Sequence, residues 1–328
     1  MLRLPTCRVV APNSVEELVE ALSEEGAMLV AGGTDILPNL KHRLHKPSVL
    51  VSTSAVKDFD SMKWDDDSLH LSAGVRLSDI SNDEKIRKDF PSLAKAAGLV
   101  ASPLLRNMGT IGGNANLDTR CRYVNQTHFW REAVGGGCLK SEGDVCHVVP
   151  GGKSCVAAMS SDCVPVLISL DAEIVLVGTN GRRVMPLADY YKTDGISHTN
   201  RLPGEVTTEI RVPRPKTPRR TNYAKWTVRK SIDFPLLSVA LRFDLQSDSL
   251  DSEITDARVV LGVMAARPKN LTKASALIGK KLRDESTVDA LCDLVYKQGK
   301  PLENVPYEAA YRRKILPVYV RRAVSEWL

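Results

Sequence analysis

Apolar and polar positions switch several times along the chain between the spacing typical of helices and that typical of strands. The first fifty residues predict a βαβ unit, with Ser14 and Glu17 as a capping box ahead of residues that share one apolar helical face. The short apolar segment 27–31 then predicts a strand that runs directly into Gly32-Gly33-Thr34-Asp35, and 48–53 predicts another strand. The sequence therefore places a glycine turn at the carboxyl end of a strand.

The middle of the chain predicts a second unit that mixes strands and helices. Alternation over 68–73 predicts a strand, 93–100 predicts a helix, and a second glycine turn follows within 107–114. From Asp118 to Ser161 the pattern has no clear period, and a loop of that length in a compact domain is usually functional or disordered. Asn180-Gly181, between two strand patterns, predicts a hairpin.

A basic segment separates this unit from the C-terminal part of the chain. Residues 211–230 hold eight Arg or Lys and no acid, together with three prolines, and we place a domain boundary there. Strands are predicted at 223–229, 236–245 and 254–264, and helices near 271–278, 286–296 and 308–327. The expected division is an N-terminal unit 1–53, a second unit 54–215 that includes the long loop 118–161, and an α+β C-terminal domain 216–328.

Composition excludes several classes of protein. Of the 328 residues, 43% are hydrophobic and 26% are charged, which excludes disordered, collagen-like and coiled-coil classes. Aromatic residues are few at 5%, and no recognition motif accompanies the basic segment, so we expect no nucleic-acid binding. No apolar run approaches the roughly 18 residues of a membrane helix, and the N-terminus has no signal-peptide pattern. We therefore expect a soluble, cytoplasmic protein without a membrane partner.

The cysteines are the strongest chemical feature of the sequence. Five of the seven lie between positions 121 and 163, and the spacing C-x16-C-x7-C-x8-C relates Cys121, Cys138, Cys146 and Cys155. Four thiolates that converge suit either zinc or an iron-sulfur cluster. The short C-x2-C pairs of common zinc and ferredoxin sites are absent from the sequence, so spacing alone leaves the identity of the metal open.

Other candidate ligands have simpler interpretations. Cys163 competes for a ligand role, but it begins an apolar stretch, where a free cysteine is usually a small buried hydrophobe. Cys7 and Cys292 are isolated and receive the same structural interpretation. His128 and His147 are more typical of solvated or hydrogen-bonded loop histidines than of metal ligands.

The two glycine turns suggest close contact with a phosphate group. A backbone that approaches a phosphate closely needs residues without Cβ, and its free N–H groups then serve as donors. Gly32-Gly33-Thr34 and Gly112-Gly113-Asn114 both meet this requirement. Neither matches G-x-G-x-x-G or the P-loop, which excludes the common dinucleotide and kinase folds. Taken alone, each Gly-Gly pair is more typical of a plain turn.

Together these motifs resemble the FAD subunits of the xanthine dehydrogenase and molybdenum hydroxylase family. The resemblance is carried by Ala31-Gly32-Gly33-Thr34-Asp35, by Thr110-Ile111-Gly112-Gly113-Asn114, by Ser161-Asp162-Cys163-Val164-Pro165, and by Lys225 upstream of Ile232-Asp233-Phe234-Pro235-Leu236. It implies an α+β fold, with a two-subdomain FAD-binding domain of the PCMH or vanillyl-alcohol-oxidase-like type and a C-terminal domain of the CO dehydrogenase flavoprotein type.

The same resemblance implies which residues bind FAD. Two glycine segments carry over as motifs and three residues carry over singly, giving Leu29, Val30, Ala31, Gly32, Gly33, Thr34, Asp35, Ile36, Thr110, Ile111, Gly112, Gly113, Asn114, Asp118, Asp162 and Lys225. Three of these residues also have a purely structural explanation. Asp35 and Asp162 each also fit the N-cap of a following helix, and Lys225 also fits an exposed strand residue.

Most FAD subunits of the family lack a cysteine-bearing loop, and the loop here is similar to that of 4-hydroxybenzoyl-CoA reductase flavin subunits. The matching residues are 118–121, Tyr123, 125–126, 130–131, 138–140, 143–144, 146–148 and Cys155. The similarity implies one 4Fe-4S cluster held by Cys121, Cys138, Cys146 and Cys155. The first spacing is one residue longer than in that group, and an insertion among 135–137 absorbs the difference.

The resemblance implies an electron-transfer subunit with no catalytic residue for the aromatic substrate. Electrons would pass from ferredoxin through the 4Fe-4S cluster and FAD to a 2Fe-2S subunit and a molybdenum cofactor-binding subunit, in a dimer of heterotrimers that converts 4-hydroxybenzoyl-CoA to benzoyl-CoA. Two alternatives remain: a flavin subunit of another molybdenum hydroxylase, for example one acting on an N-heterocycle, and a module whose loop holds a structural zinc. The basic segment suits an acidic ferredoxin, and it also suits a solvated linker or a face toward partner subunits.

Overall fold

The computed structural model describes residues 2–328, and its N-terminal part is a small parallel sheet with two helices. The sheet has the order β1-β3-β2 with all strands parallel, and helix α1 packs Leu18 and Val19 against it. The capping box is confirmed, since the Glu17 N–H donates to Ser14 Oγ at 3.2 Å. The elements are β1 (Arg8–Val10), α1 (Val15–Leu22), β2 (Ala27–Val30), α2 (Ile36–Lys41) and β3 (Val49–Ser52).

The second part is built on a five-stranded antiparallel sheet of order β4-β5-β8-β6-β7. The predicted hairpin is confirmed, and Gly181 at its turn has a φ of 96°. Arg183 donates to the Glu205 carboxylate at 2.6 Å beside this sheet. The elements are β4 (Met62–Trp64), β5 (Ser68–Ser72), α3 (Leu77–Asn82), α4 (Glu84–Asp89), α5 (Pro91–Gly98), α6 (Pro103–Arg106), α7 (Ile111–Ala115), α8 (His128–Val134), α9 (Cys163–Ser169), β6 (Glu173–Gly178), β7 (Gly181–Pro186), α10 (Leu187–Tyr190) and β8 (Val206–Pro213).

The C-terminal part is a four-stranded antiparallel sheet, β12-β11-β10-β9, with two long helices. Strand β10 is buried along its whole length, between its neighbouring strands and the packed helices. The helix predicted near 271–278 is present as a 3₁₀ helix, Thr272–Leu277. The other elements are β9 (Arg219–Trp226), β10 (Leu237–Leu245), β11 (Ile254–Gly262), β12 (Lys269–Asn270), α11 (Glu285–Gln298) and α12 (Ala309–Ser325).

The basic segment is mostly strand and not a free linker. Residues 211–213 end β8 and β9 begins at Arg219, earlier than predicted, so only 214–218 join the two sheets. Most of its cations face carboxylates of the same chain, in the pairs Arg211–Glu209, Arg219–Asp244, Arg220–Asp248, Lys225–Asp162 and Arg229–Asp233. The chain's own acids therefore offset much of the positive charge that the sequence displays.

The long aperiodic loop is an insert that leaves the second sheet domain and returns to the same place. We call residues 121–157 the insert and the pair Arg120 and Ala158 its neck. The Arg120 N–H donates to the Ala158 carbonyl at 2.8 Å, and the Ala158 N–H donates back at 2.7 Å. The insert holds one short helix, α8, whose Phe129 is 84% exposed. No helix within residues 2–328 combines the length and apolarity required to cross a membrane.

Candidate functional site

The two glycine turns lie close together and both line a large cleft, to which the N-terminal part and the second part of the chain contribute. The cleft contains about 2110 Å³ of space that opens to solvent. A Cβ added at Gly32 would lie 1.8 Å from the Met108 carbonyl oxygen, and one added at Gly112 would lie 2.6 Å from Ala73 Cβ. Only glycine therefore allows these backbone segments to approach each other this closely.

The first glycine turn presents unused backbone donors to the cleft. It follows directly after β2, and Gly33 adopts a φ of 73°. Within residues 2–328, no hydrogen bond uses the N–H of Gly32, Gly33 or Thr34 as its donor. Free N–H groups on a glycine turn are the donors that a pyrophosphate requires. The turn thus fits the diphosphate of FAD.

Asp35 at the end of this turn does not cap helix α2, although it occupies the N-cap position. Its carboxylate accepts hydrogen bonds from Arg120 Nη1 at 2.6 Å and Asn39 Nδ2 at 3.0 Å. Burial raises its pKa, and the Arg120 guanidinium opposes that rise without cancelling it. The Arg120 guanidinium also lies 3.9 Å from the centre of the Phe234 ring, so it connects the first turn to the C-terminal part of the cleft wall.

The second glycine turn differs from the expectation that both turns supply free donors. The N–H groups of Ile111 and Gly112 donate to Val75 and Ala73, and Gly113 donates to Thr110 Oγ1 at 3.0 Å. Those donors are consumed because Thr110 caps helix α7 and the turn is seated on β5 and the residues after it. The second turn therefore contributes a close wall without side chains, and the first contributes the donors.

Asp162 and Lys225 form a buried ion pair at the floor of the cleft. Their side chains are 4% and 6% exposed, and Lys225 Nζ lies 3.0 Å from Asp162 Oδ2. Asp162 also accepts from the Tyr223 hydroxyl at 2.7 Å and makes no capping bond to α9. Burial raises the pKa of Asp162 against the opposing effect of Lys225. The capping and exposed-strand alternatives for these two residues are therefore wrong.

Most of the residues predicted to bind FAD line this cleft. The exceptions are Val30, Ile111 and Lys225, of which Ile111 is fully buried in the core and Lys225 acts through Asp162. Sequence reasoning missed several lining residues that come from separate segments of the chain, namely His45, Leu105 on α6, Arg120, His198 and Arg201. Phe234 also lines the cleft and lies inside a motif that the sequence had already singled out.

A second, smaller cavity lies inside the insert, and all four cysteines of the spacing pattern line it. About 310 Å³ of space, part of which is open to solvent, is bordered by Cys121, Cys138, Cys146 and Cys155. Backbone N–H groups donate to three of the sulfurs, at 3.5 Å to Cys121, 3.3 Å to Cys146 and 3.5 Å to Cys155. Such donors are typical of cysteines that ligate iron-sulfur clusters. The cavity thus fits the chemistry of a cluster.

The thiols of this cavity are largely withdrawn from water. Burial raises the pKa of Cys121 and of Cys155, and neighbouring thiols add to the rise. Among residues 2–328, no group of three or more His, Cys, Asp or Glu side chains converges closely enough to hold a single metal ion. The four sulfurs therefore border a volume and do not meet at one point.

Of the other candidate ligands, His147 lines the cysteine cavity, whereas Cys163 and His128 lie outside it. Cys163 is fully buried in the core around α9 and does not line the cysteine cavity. His147 Nε2 lies 3.0 Å from the Gly137 carbonyl oxygen, and its ring stacks on Tyr123 at 4.1 Å. The side chain of His128 is 59% exposed on α8. These positions agree with the structural interpretations of all three residues.

Comparison with known proteins gives the family. Residues 5–215 match the model "FAD binding domain in molybdopterin dehydrogenase", and residues 222–327 match "CO dehydrogenase flavoprotein C-terminal domain". The chain is 31% identical over 273 residues to the aldehyde oxidoreductase FAD-binding subunit PaoB of Escherichia coli K12, covering 81% of this chain and 83% of that protein. It is 25% identical over 306 residues to the nicotinate dehydrogenase FAD-subunit of Eubacterium barkeri, covering 91% and 89%.

A solved structure of Cu,Mo-CO dehydrogenase is similar over 98% of both chains, with a TM-score of 0.79 and 25% identity. The fold expected from the sequence is confirmed, including the FAD-binding domain and the C-terminal domain. The chain belongs to the FAD-binding medium subunits of the molybdenum hydroxylase and CO dehydrogenase family.

Proposed function

We propose that this protein is the flavin and iron-sulfur subunit of a 4-hydroxybenzoyl-CoA reductase-type complex, with one 4Fe-4S cluster bound by Cys121, Cys138, Cys146 and Cys155. The observation that carries the proposal is the single cavity these cysteines border. Cysteines far apart in sequence come together there, with N–H donors aimed at their sulfurs. When bound, FAD exchanges one or two electrons and an iron-sulfur cluster exchanges one, so the pair converts between carriers.

The chain's own residues have defined tasks in this proposal. The free N–H groups of the first glycine turn bind the FAD diphosphate, and the second turn keeps side chains out of its path. Asp118 and Asp162 present carboxylates to the cleft, the first held by Lys140 and the second by Lys225. The insert withdraws three of the four cysteines from water, because Cys121, Cys138 and Cys155 are each at least nine-tenths buried, while Cys146 is partly exposed.

The proposed partners follow from the family and from the separation of substrate chemistry and electron transfer between subunits. We assign the substrate chemistry to a molybdenum cofactor-binding subunit, and a 2Fe-2S subunit connects it to this chain in a dimer of heterotrimers. Ferredoxin is the proposed electron donor. The basic segment contributes less to its recognition than the sequence suggests, since most of its cations are paired within the chain. We propose the cytoplasm as the location of the complex.

Iron and acid-labile sulfide analysis of the anaerobically purified protein tests the cluster. We expect iron and sulfide in equal amounts with a broad visible absorption, and Cys138→Ser should remove both while FAD stays bound. Cys7→Ser is the matched control, because Cys7 is partly exposed and lies outside the cavity. Zinc in place of iron, or loss of FAD with unchanged iron, would exclude the proposed cluster.

A second candidate is the flavin subunit of a molybdenum hydroxylase that acts on an N-heterocycle. It is favoured by the similarity to a nicotinate dehydrogenase FAD-subunit over 91% of this chain. The partner subunit decides between the two, because it carries the substrate pocket. Co-purifying the subunits and assaying the complex with reduced ferredoxin plus 4-hydroxybenzoyl-CoA, and separately with nicotinate plus an electron acceptor, distinguishes them.

A further inference from the structure

A single buried lysine joins the cysteine cavity to the flavin cleft. Lys140 lies in the insert between Cys138 and Cys146, and it lines the cysteine cavity. Its ammonium nevertheless reaches Asp118, which lines the cleft, with Nζ 2.6 Å from Asp118 Oδ1. The Lys140 side chain is 10% exposed. The two sites therefore share one charged contact.

The surroundings of Lys140 Nζ fix it at this junction. Besides Asp118 it donates to the carbonyl oxygens of Thr119 and Gly195, both at 3.0 Å. Gly195 lies directly against the cysteine cavity, because a Cβ added there would be 2.9 Å from Cys155 Sγ. One ammonium thus holds together the segment that enters the insert, the segment that covers Cys155, and the carboxylate at the cleft.

The other titratable groups near Asp118 do not duplicate the contact that Lys140 makes with both sites. Asp118 faces two histidines, His45 at 3.4 Å and His198 at 4.0 Å, whose side chains also line the cleft. Burial holds the pKa of His198 below its ordinary value, so this ring is neutral near pH 7. Of the residues that line the cysteine cavity, Lys140 is the one lysine or arginine.

We infer that Lys140 is a positioning residue whose positive charge favours the reduced state of the group in the cysteine cavity and, through Asp118, fixes the charge beside the flavin. This inference rests on the proposed function, because it requires a redox group in the cavity. The physical basis is that an added electron makes a cluster more negative, and a nearby ammonium in a site with little water stabilises that charge. The same ammonium compensates the Asp118 carboxylate, so its removal alters both sites.

The test compares midpoint potentials of the cluster and of FAD in the full chain, purified anaerobically, by spectroelectrochemical titration with visible and EPR detection. In Lys140→Met we expect the reduced-to-oxidised ratio of the cluster at fixed potential to fall about tenfold, which is about 59 mV for a one-electron couple. The flavin potential should become more negative as well, because Asp118 loses its partner. Lys140→Arg keeps the charge and should restore the wild-type cluster potential.

Lys46→Met is the matched control for removing a lysine near the insert. Lys46 contacts Glu142 of the insert at 2.9 Å, but both side chains are mostly exposed and neither lines the cavity. Salt and water screen such a charge, so this variant should keep the wild-type potentials. A shift in Lys46→Met equal to that in Lys140→Met would contradict a specific role for Lys140.

The double variant Asp118→Asn/Lys140→Met covers the case in which the single variant fails to retain its cluster. It removes both charges, so no carboxylate is left buried without its partner. We expect a cluster potential between those of the wild type and Lys140→Met. Unchanged potentials with wild-type iron content overturn the inference, and so does loss of iron from both variants, which leaves a structural role alone. Absence of iron from the wild type instead overturns the proposed function and, with it, this inference.

Discussion

Lys225→Met tests how much the fold depends on the buried ion pair at the floor of the cleft. In the wild type the ammonium lies 3.0 Å from Asp162 Oδ2 and 2.9 Å from the Leu99 carbonyl oxygen. Methionine keeps most of the length and the apolar stem of lysine, so the substitution removes chiefly the charge and its donors. The Asp162 carboxyl then stays buried, with the Tyr223 hydroxyl as a remaining donor.

The expected loss of stability follows from the burial and the separation of the pair. At 3.0 Å and an effective dielectric constant near 20, the attraction of two unit charges is about 5.5 kcal/mol. Removing one member of a buried pair typically costs about 3 to 5 kcal/mol. Burial already raises the pKa of Asp162, and loss of Lys225 raises it further, so the carboxyl can take up a proton. We therefore expect the lower limit, about 3 kcal/mol at pH 7.

The sign of the pH dependence follows from the same pKa. A carboxyl whose pKa is higher in the folded than in the unfolded protein costs the fold nothing at low pH and progressively more as pH rises toward the folded pKa. The free-energy difference between wild type and Lys225→Met should therefore be larger at pH 8 than at pH 5. Urea unfolding followed by tryptophan fluorescence and circular dichroism at both pH values measures it, and bound FAD per chain is recorded in parallel.

Two further variants separate the buried charge from the loss of a lysine. Lys297→Met removes the same side chain from a pair with Asp293 whose members are 73% and 72% exposed, and it should change stability by less than about 0.5 kcal/mol. Asp162→Asn/Lys225→Met should recover part of the loss, because no buried charge remains. A loss for Lys225→Met no larger than that for Lys297→Met would refute the argument.

Three other predictions concern FAD binding in the cleft, the iron content of the cysteine cavity, and the loss of stability at low pH. Gly32→Ala should weaken FAD binding at least tenfold in a fluorescence titration, because its Cβ would lie 1.8 Å from the Met108 carbonyl oxygen. Gly195→Ala should lower the iron content while FAD is retained, since its Cβ would lie 2.9 Å from Cys155 Sγ. Burial would raise the pKa of Glu205, but hydrogen bonds from Arg183 and the Leu202 N–H, together with the nearby arginine charges, outweigh this and lower it. The ionised Glu205 carboxylate stabilises the fold above pH 4.5, and this stabilisation is lost as pH falls through the lowered pKa. The free energy of unfolding of Glu205→Gln, measured with urea, should therefore fall less on acidification than that of the wild type.

Features that depend on local sequence were predictable. The capping box at Ser14, the hairpin at Asn180-Gly181 and the glycine turn after β2 need only neighbouring residues to form, and the structure contains all three. The gathering of the four cysteines around one cavity agrees with their predicted common role, although spacing alone did not specify the shape of the site.

Features that depend on distant partners were not predictable from spacing. The second glycine turn resembles the first in sequence, but its donors are used because the chain after β5 lies beneath it. Strand β9 was predicted to start too late, because its first residues are basic and their acidic partners, such as Asp244, lie on a different strand. Lys140 belongs to the segment 138–140 that resembles a known loop, but its contacts depend on the packing of 118–119 and Gly195 around it, which the sequence pattern does not specify.

The closed neck of the insert separates the length of the insert from the structure of the sheets on either side. Because Arg120 and Ala158 exchange two backbone hydrogen bonds, residues 121–157 start and finish at one point on the cleft wall. An insert that begins and ends at one point can gain, lose or exchange residues while the strands of both flanking sheets keep their registers. Gly136 lies inside the insert, and no heavy atom lies within 4 Å of the position of a Cβ added there. The proposed cluster site is therefore confined to one insertion, and Asp118 and Arg120 at its entrance line the flavin cleft.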